Sequence, residues 1–267
     1  MHPLISFPIL LQAALLGVSL LLWILVISNW SRKGDWWRPL GSPRFEVPPV
    51  INLIGFILGF LVLPSLLNES LKNEPLIVRI QAHGLFRILF VPIWCLVLWF
   101  SKDRPAPAPP ESDSPRLPPL NPLRSMQFGG WGFCFSYLPV WILLMAVAPY
   151  REPHPLINLL RENPTPSVWM TVVLTAVIAA PAFEEFLFRV ILLSSLRQLL
   201  DPWRAIFISS AIFAISHSPI DAIPLFPLAI VLGYVYHRTG SYPAVFLMHA
   251  LFNAYNLLTF WLVEMPT

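Results

Sequence analysis

Long uncharged apolar stretches alternate with short polar segments along the 267 residues of the chain. The hydrocarbon core of a bilayer, about 30 Å thick, is crossed by an α-helix of about 20 predominantly apolar residues. By this criterion the sequence predicts eight membrane spans, at residues 4–28, 48–67, 80–100, 128–149, 167–196, 203–219, 220–237 and 241–262. We therefore predict an all-α fold, a polytopic membrane helix bundle of about eight transmembrane helices embedded in the lipid bilayer.

The first predicted span does not have the pattern of a cleavable signal peptide. No Lys or Arg precedes its apolar run, and the run continues to about Ile27, which is longer than a secretory core. We interpret this segment as the first transmembrane helix.

A proline-rich segment, RPAPAPPESDSPRLPPLNP at residues 104–122, interrupts the series of spans. Its prolines are incompatible with a helix and favour a polyproline or disordered linker. The sequence thus predicts three parts: an N-terminal three-helix membrane region at 1–103, a Pro-rich linker at 104–127, and a five-helix block at 128–267.

Charged residues are scarce and unevenly distributed. They make up 12% of the chain, about half the share that is usual in soluble domains. With the N-terminus placed outside, 11 basic residues fall in inward loops and four in outward loops. This bias predicts a multi-pass protein, which we assign to the plasma membrane, with a cytoplasmic Pro-rich linker. The basic residues lie between apolar runs, so the pattern indicates topology and no nucleic-acid partner.

The stretch PAFEEFLFRVILLSSL, at residues 181–196, places charges inside the fifth predicted span. An ionisable group at bilayer depth costs about 2.5–3.5 kcal/mol by insertion scales and is by default a functional-site hypothesis. Glu185 and Arg189 have the i, i+4 spacing of a helical ion pair. Such a pair leaves Glu184 as the carboxylate free to exchange protons. The alternative is that the motif only connects this helix to a neighbour through a charge network.

Two further patterns place polar groups on apolar helices. AIFAISHSPI in the sixth span puts Phe213 and His217 four residues apart, and FLMHALFNAYN in the eighth gives His249 and Asn253 the same spacing. Residues at i and i+4 lie on one face of a helix. Each histidine taken alone is more often a satisfied core residue than a catalyst.

Glu184, His217, His249 and Asn253 together make up a coherent chemical set. A carboxylate and an imidazole activate a water molecule as general base, and a second imidazole and an amide N–H stabilise an oxyanion. The same atoms permit a metal version, because two histidines and one glutamate are a usual catalytic zinc set. Glu184, His217 and His249 are therefore also candidate ligands for a divalent metal such as zinc, if a metal is used.

The pair His83 and Arg87 and the residue Pro181 are also unusual within apolar spans. His83 and Arg87, four residues apart near the start of the third span, are expected to extend toward the membrane interface. Pro181 removes a backbone donor one turn before Glu184, which predicts a weakened helix that opens the wall of the site. Prolines are also common in membrane helices without a function.

In order and spacing, these motifs resemble those of the CAAX protease and bacteriocin-processing (CPBP, or Abi) family of intramembrane proteases, which includes the type II CAAX prenyl endopeptidases. The family pattern EExxxR, FxxxH and HxxxN matches, in order, the segments that begin at Glu184, Phe213 and His249. The resemblance covers about residues 165–260.

The resemblance implies a multi-helix membrane endopeptidase whose catalytic residues line a water-filled cavity in the bilayer. It implies that Glu184 activates the water with His217, that His249 and Asn253 serve the oxyanion, and that Glu185, Arg189 and Phe213 support the site. It further implies a membrane-anchored peptide or protein substrate, for example a prenylated CAAX-type C-terminus. Metal and metal-free mechanisms both remain open.

Two other functions remain alternatives. A non-catalytic membrane scaffold or self-immunity protein would keep this fold to bind a partner. A proton-coupled transporter would also bury Glu and His, although no inverted repeat is visible in the sequence.

Overall fold

The computed structural model describes residues 3–29, 39–40, 49–100 and 120–264. Most of the predicted Pro-rich linker, residues 104–119, lies outside these ranges. So do seven of the inward basic residues: Arg32, Lys33, Arg38, Arg44, Lys102, Arg104 and Arg116.

Nine helices and no strands make up the described ranges, which confirms the predicted all-α fold. In chain order they are α1 (Pro3–Asn29), α2 (Pro49–Ser70), α3 (Leu76–Phe100), α4 (Pro122–Tyr150), α5 (Pro155–Glu162), α6 (residues 166–196), α7 (Pro202–Ile215), α8 (Pro219–Thr239) and α9 (Tyr242–Glu264).

Six of the described helices are long and apolar enough to cross a membrane, namely α1 to α4, α8 and α9. The chain is therefore an integral membrane protein with a polytopic helical bundle. The predicted fifth and sixth spans are helical but are not among these six. The 14 residues of α7 extend only about 21 Å at 1.5 Å per residue, short of a hydrocarbon core of about 30 Å.

Four helices begin with the same local signal, a capping residue followed by proline. Asn121, Thr165, Asp201 and Ser218 each accept a hydrogen bond from the backbone N–H three residues later. The proline that follows has no N–H to leave unsatisfied and a φ suited to the first turn. Because Asn121 is such a cap, α4 begins at Pro122, six residues before the predicted span.

Helix α6 packs against α2, α3, α7 and α9 and thus forms the centre of the bundle. It is continuous but not uniform, because π-helical segments at Leu174–Ala179 and Phe186–Leu193 flank the α-helical segment Ala180–Glu185. Pro181 therefore widens the helix without breaking it. Wide π turns of this kind are frequent at functional sites.

The N-terminal helices pack directly on the C-terminal block. Trp23 of α1 stacks on Phe135 of α4 with ring centroids 4.3 Å apart. Phe56 of α2 meets Phe188 of α6 edge-on at 5.6 Å. The helices before and after the linker segment are therefore packed against each other.

Candidate active site

The buried centre of the site is an ion pair on α6. Arg189 Nε donates to Glu185 Oε2 at 3.0 Å, and neither side chain is exposed. This is the pair that the i, i+4 spacing predicted. Arg189 Nη1 also donates to Ser209 Oγ on α7 at 3.3 Å, and its guanidinium lies over the ring of Phe213, 5.4 Å from the centroid. The charge is thus compensated by a carboxylate and an aromatic face.

The second oxygen of Glu185 holds His249, which comes from α9. Glu185 Oε1 and His249 Nδ1 are 2.8 Å apart, although the two residues are 64 positions apart in the chain. Because an ionised carboxylate only accepts, Nδ1 carries the proton and donates it. The bond fixes the orientation of the ring and leaves Nε2 on the opposite side, as in other carboxylate–histidine pairs.

Glu184 lies on that opposite side. Its Oε2 is 4.0 Å from His249 Nε2, and its side chain is 17% exposed, whereas that of Glu185 is fully buried. The distance is too long for a direct hydrogen bond. The carboxylate of Glu184 makes no hydrogen bond to any residue that the structure describes. Of the two adjacent glutamates, it is therefore the one available to water and substrate.

His217 reaches the site at the end of α7 and is also fixed in orientation. Its Nδ1 donates to the backbone carbonyl of Phe213 at 2.9 Å, which leaves Nε2 free. The ring of Phe213 contacts both imidazoles, with centroid distances of 5.0 Å to His217 and 5.9 Å to His249. Phe213 is fully buried and so acts as the spacer between the two histidines.

Asn253 is held against α6 by a backbone carbonyl that has lost its helical partner. Its Nδ2 donates to the oxygen of Ala176 at 2.8 Å. In the surrounding π-helical segment the N–H of residue i+5 is the donor, as shown by Ala180 donating to Thr175. The corresponding donor for Ala176 would be residue 181, a proline, which has no N–H. Because Pro181 has no N–H, the carbonyl oxygen of Ala176 remains available to accept the hydrogen bond that positions Asn253.

The structure brings the predicted site residues to one region. Glu184, Glu185, Arg189 and His249 contact one another, whereas His217 joins them through Phe213 and Asn253 through the backbone of α6. The catalytic roles of these residues stay predictions. Among the described residues, no three His, Cys, Asp or Glu side chains are grouped closely enough to hold a metal ion. The predicted set of Glu184, His217 and His249 does not fit a metal in this arrangement.

A cavity of about 190 Å³ adjoins this region between α3, α5 and α6. Arg79, His83 and Arg87, at i, i+4 and i+8 on α3, line it together with His154 at the start of α5. His83 and Arg87, which we expected to reach the interface, thus face a cavity. No local pattern in the sequence indicates this cavity, because it forms only where α5 packs back against α3.

A comparison with protein families gives one match within the chain. Residues 166–255 match the family described as type II CAAX prenyl endopeptidase Rce1-like. Comparisons with curated proteins and with solved structures give no significant match. The matched region contains all three motifs and every residue of the site on α6, α7 and α9. Residues 166–255 thus form a domain that is similar to the CAAX protease family of membrane proteins.

Proposed function

We propose that the chain is an intramembrane endopeptidase that hydrolyses a peptide bond of a membrane-associated substrate, with Glu184 as the general base. A prenylated CAAX-type C-terminus is the substrate class that we assign to it. The observation that carries the proposal is the approach of Glu184 Oε2 to 4.0 Å from a histidine whose other nitrogen is anchored by Glu185.

This gap has the dimensions for a shared water molecule. A water oxygen about 2.8 Å from both Glu184 Oε2 and His249 Nε2 makes an angle of about 90° at the oxygen. Glu184 takes one proton from this water as the oxygen attacks the carbonyl carbon of the substrate. The free Nε2 of His217 supports the deprotonation, since its Nδ1 is committed to Phe213.

The attack produces a tetrahedral intermediate with a negatively charged oxygen. His249 in its imidazolium form and the second amide hydrogen of Asn253 donate to this oxyanion. Because Glu185 accepts from Nδ1 of His249, Nε2 is the nitrogen that faces Glu184 and the reacting groups. The proton held by Glu184 then passes to the leaving amine as the C–N bond breaks, so that water supplies a hydroxyl group to one product and a hydrogen to the other.

A metal ion enters none of these steps. The alternative ligand set of Glu184, His217 and His249 would make the protein a metalloprotease of the Abi type. Metal analysis of the purified protein, followed by activity measurements after chelation and re-addition of zinc, decides between the two forms. We expect activity to survive chelation.

Glu184→Gln tests the proposal because it keeps the volume of the side chain and removes the base. We expect it to lower kcat at least about 10²-fold, and His249→Ala to do the same, since each removes a group that acts in the transition state. Glu264→Gln is the matched control, because Glu264 is an exposed partner of Arg161 at the last residue of α9, outside the three motifs. The assay is cleavage of a farnesylated CAAX peptide in detergent.

Cleavage by both active-site variants at the rate of the parent protein contradicts the assignment. Loss of cleavage together with loss of the monodisperse elution profile means that folding was affected, and Glu184→Asp then serves as the conservative replacement. An inactive parent protein that still binds the peptide supports the scaffold or self-immunity alternative.

We place the enzyme in the plasma membrane with its N-terminus outside and the Pro-rich linker in the cytoplasm. The helices α1 to α3 form a supporting region around the catalytic block.

A further inference from the structure

The cavity between α3, α5 and α6 carries positive charge without a negative partner. The side chains of Arg79 and Arg87 form no ion pair or hydrogen bond within the described part of the chain, and no acidic residue is among the described residues that line the cavity. Arg79 Nε is fully buried and has no acceptor. Half-buried guanidinium groups that have no carboxylate partner favour an anion as their ligand.

A further donor faces the same space. His154 Nδ1 accepts the backbone N–H of Leu156 at 3.2 Å, so the neutral ring carries its proton on Nε2. His154 also lines the cavity. Two guanidinium groups and an imidazole N–H make a set of donors that matches a carboxylate. The rest of the wall is mostly apolar, with Leu76, Ile80, Pro155 and Leu156.

The cavity lies beside the segment of α6 that positions Asn253. Its wall includes Thr175, the residue before Ala176, whose carbonyl holds Asn253. On α3, Phe86 contacts Phe183 of α6 with ring centroids 5.5 Å apart, and Arg87 and Glu184 directly follow these two residues in the chain. Arg79 lies two turns further, about 12 Å along the helix axis. Three or four residues of extended peptide span that distance.

We infer that this cavity binds the free C-terminal carboxylate of the substrate, with Arg79, Arg87 and His154 as donors and the apolar wall around the terminal side chains. The inference rests on the proposed function and assigns a specificity role to helix α3, which lies outside the family domain. A cavity of about 190 Å³ has room for the end of a peptide.

The test compares two forms of one peptide. The probe is a fluorescein-labelled peptide that ends in a farnesylated cysteine, two aliphatic residues and methionine, prepared with a carboxylate or a carboxamide terminus. Fluorescence anisotropy in detergent micelles gives its Kd for the Glu184→Gln protein, which binds without cleaving. We expect the carboxylate form to bind about 10- to 100-fold more tightly, as for a hydrogen-bonded charge pair.

Substitutions in the cavity should remove this preference. In the same background, Arg79→Gln and Arg87→Gln together should bring the two Kd values within about twofold. Arg79→Lys and Arg87→Lys should keep part of the difference, since they retain the charge but lose the planar donor pair. Lys72→Gln is the matched control, because Lys72 is an exposed cation just before α3 that pairs with Glu69.

Equal affinity of the two forms for the starting protein, including no binding of either, overturns the inference. A preference that survives the double Arg→Gln change also overturns it. If phosphatidylglycerol added to the micelles competes equally with both forms, the cavity binds a lipid headgroup instead. Hydrolysis without a carboxylate preference contradicts this inference alone, whereas a carboxylate preference without hydrolysis by the parent protein supports it and contradicts the proposed function.

Discussion

Glu185 binds two partners with its two oxygens, Arg189 on its own helix and His249 on α9. One side chain therefore stabilises a buried cation and orients the imidazole beside Glu184. These two roles predict separable effects on stability and on catalysis.

We expect Glu185→Gln to destabilise the protein by about 3–5 kcal/mol, because it leaves the buried guanidinium of Arg189 without a charged partner. It should also lower kcat, since the tautomer and orientation of His249 are no longer fixed. Combining it with Arg189→Met should restore much of the stability but not the activity. Thermal unfolding in detergent and peptide cleavage measure the two effects. Wild-type kcat in either variant contradicts the orienting role.

Asn253 is expected to act on the oxyanion with the amide hydrogen that Ala176 does not use. Asn253→Ala should therefore lower kcat about 10²- to 10³-fold and change KM little, as when other oxyanion donors are removed. Steady-state kinetics with the farnesylated peptide separate the two constants. A change confined to KM would instead indicate a role in substrate binding.

At the scale of a single helix, the π-helical segments of α6 explain how Pro181 is accommodated one turn before Glu184 and Glu185. Pro181→Ala supplies an N–H that can donate to the carbonyl of Ala176 and so compete with Asn253. We expect kcat to fall about five- to tenfold, the value of one lost hydrogen bond, while the unfolding temperature stays equal or rises. Pro139→Ala, inside α4, is the matched control and should leave kcat unchanged. Unchanged kcat in Pro181→Ala would contradict the positioning role of Pro181.

The local features of the site can be predicted from the sequence, whereas the contacts between helices cannot. The Glu185–Arg189 pair follows from helical spacing, and the helix starts follow from residues such as Asn121 and Asp201 before proline. The Glu185–His249 bond depends on how α6 and α9 pack, which periodicity does not encode. The same holds for Arg79: its spacing to Arg87 is visible, but the cavity arises only because His154 folds back beside them.

At the scale of the whole molecule, polar contacts at the helix ends agree with alternating spans. Arg151 pairs with Asp221 at 2.7 Å and Arg161 with Glu264 at 2.5 Å, and all four residues belong to segments that we predicted on the outer side. At the other end, Leu40 N donates to Arg238 O at 2.6 Å, and both residues belong to segments predicted inside. The contacts bring these segments together at two ends of the bundle, and which end faces the cytoplasm stays a prediction from the charge bias.

The direction can be measured with single cysteines. In a Cys95→Ser, Cys134→Ser background, Lys72→Cys should react with a membrane-impermeant maleimide on intact cells, whereas Arg204→Cys should react only after permeabilisation. Both positions are highly exposed, so accessibility within the fold does not distinguish them. The reverse labelling pattern would invert the proposed topology. It would also move the His217 end of the site to the cytoplasmic face.

The 14 residues of α7 have a consequence for the surrounding lipid. Acyl chains beside a helix that is about 9 Å too short must compress or leave a hollow, and His217 follows directly after its last turn. We expect solvent to reach the site through this thinned region of the bilayer, so that the rate of the proposed cleavage depends on acyl-chain length. Reconstitution into short-chain phosphatidylcholine should accelerate cleavage, whereas long-chain lipids should slow it.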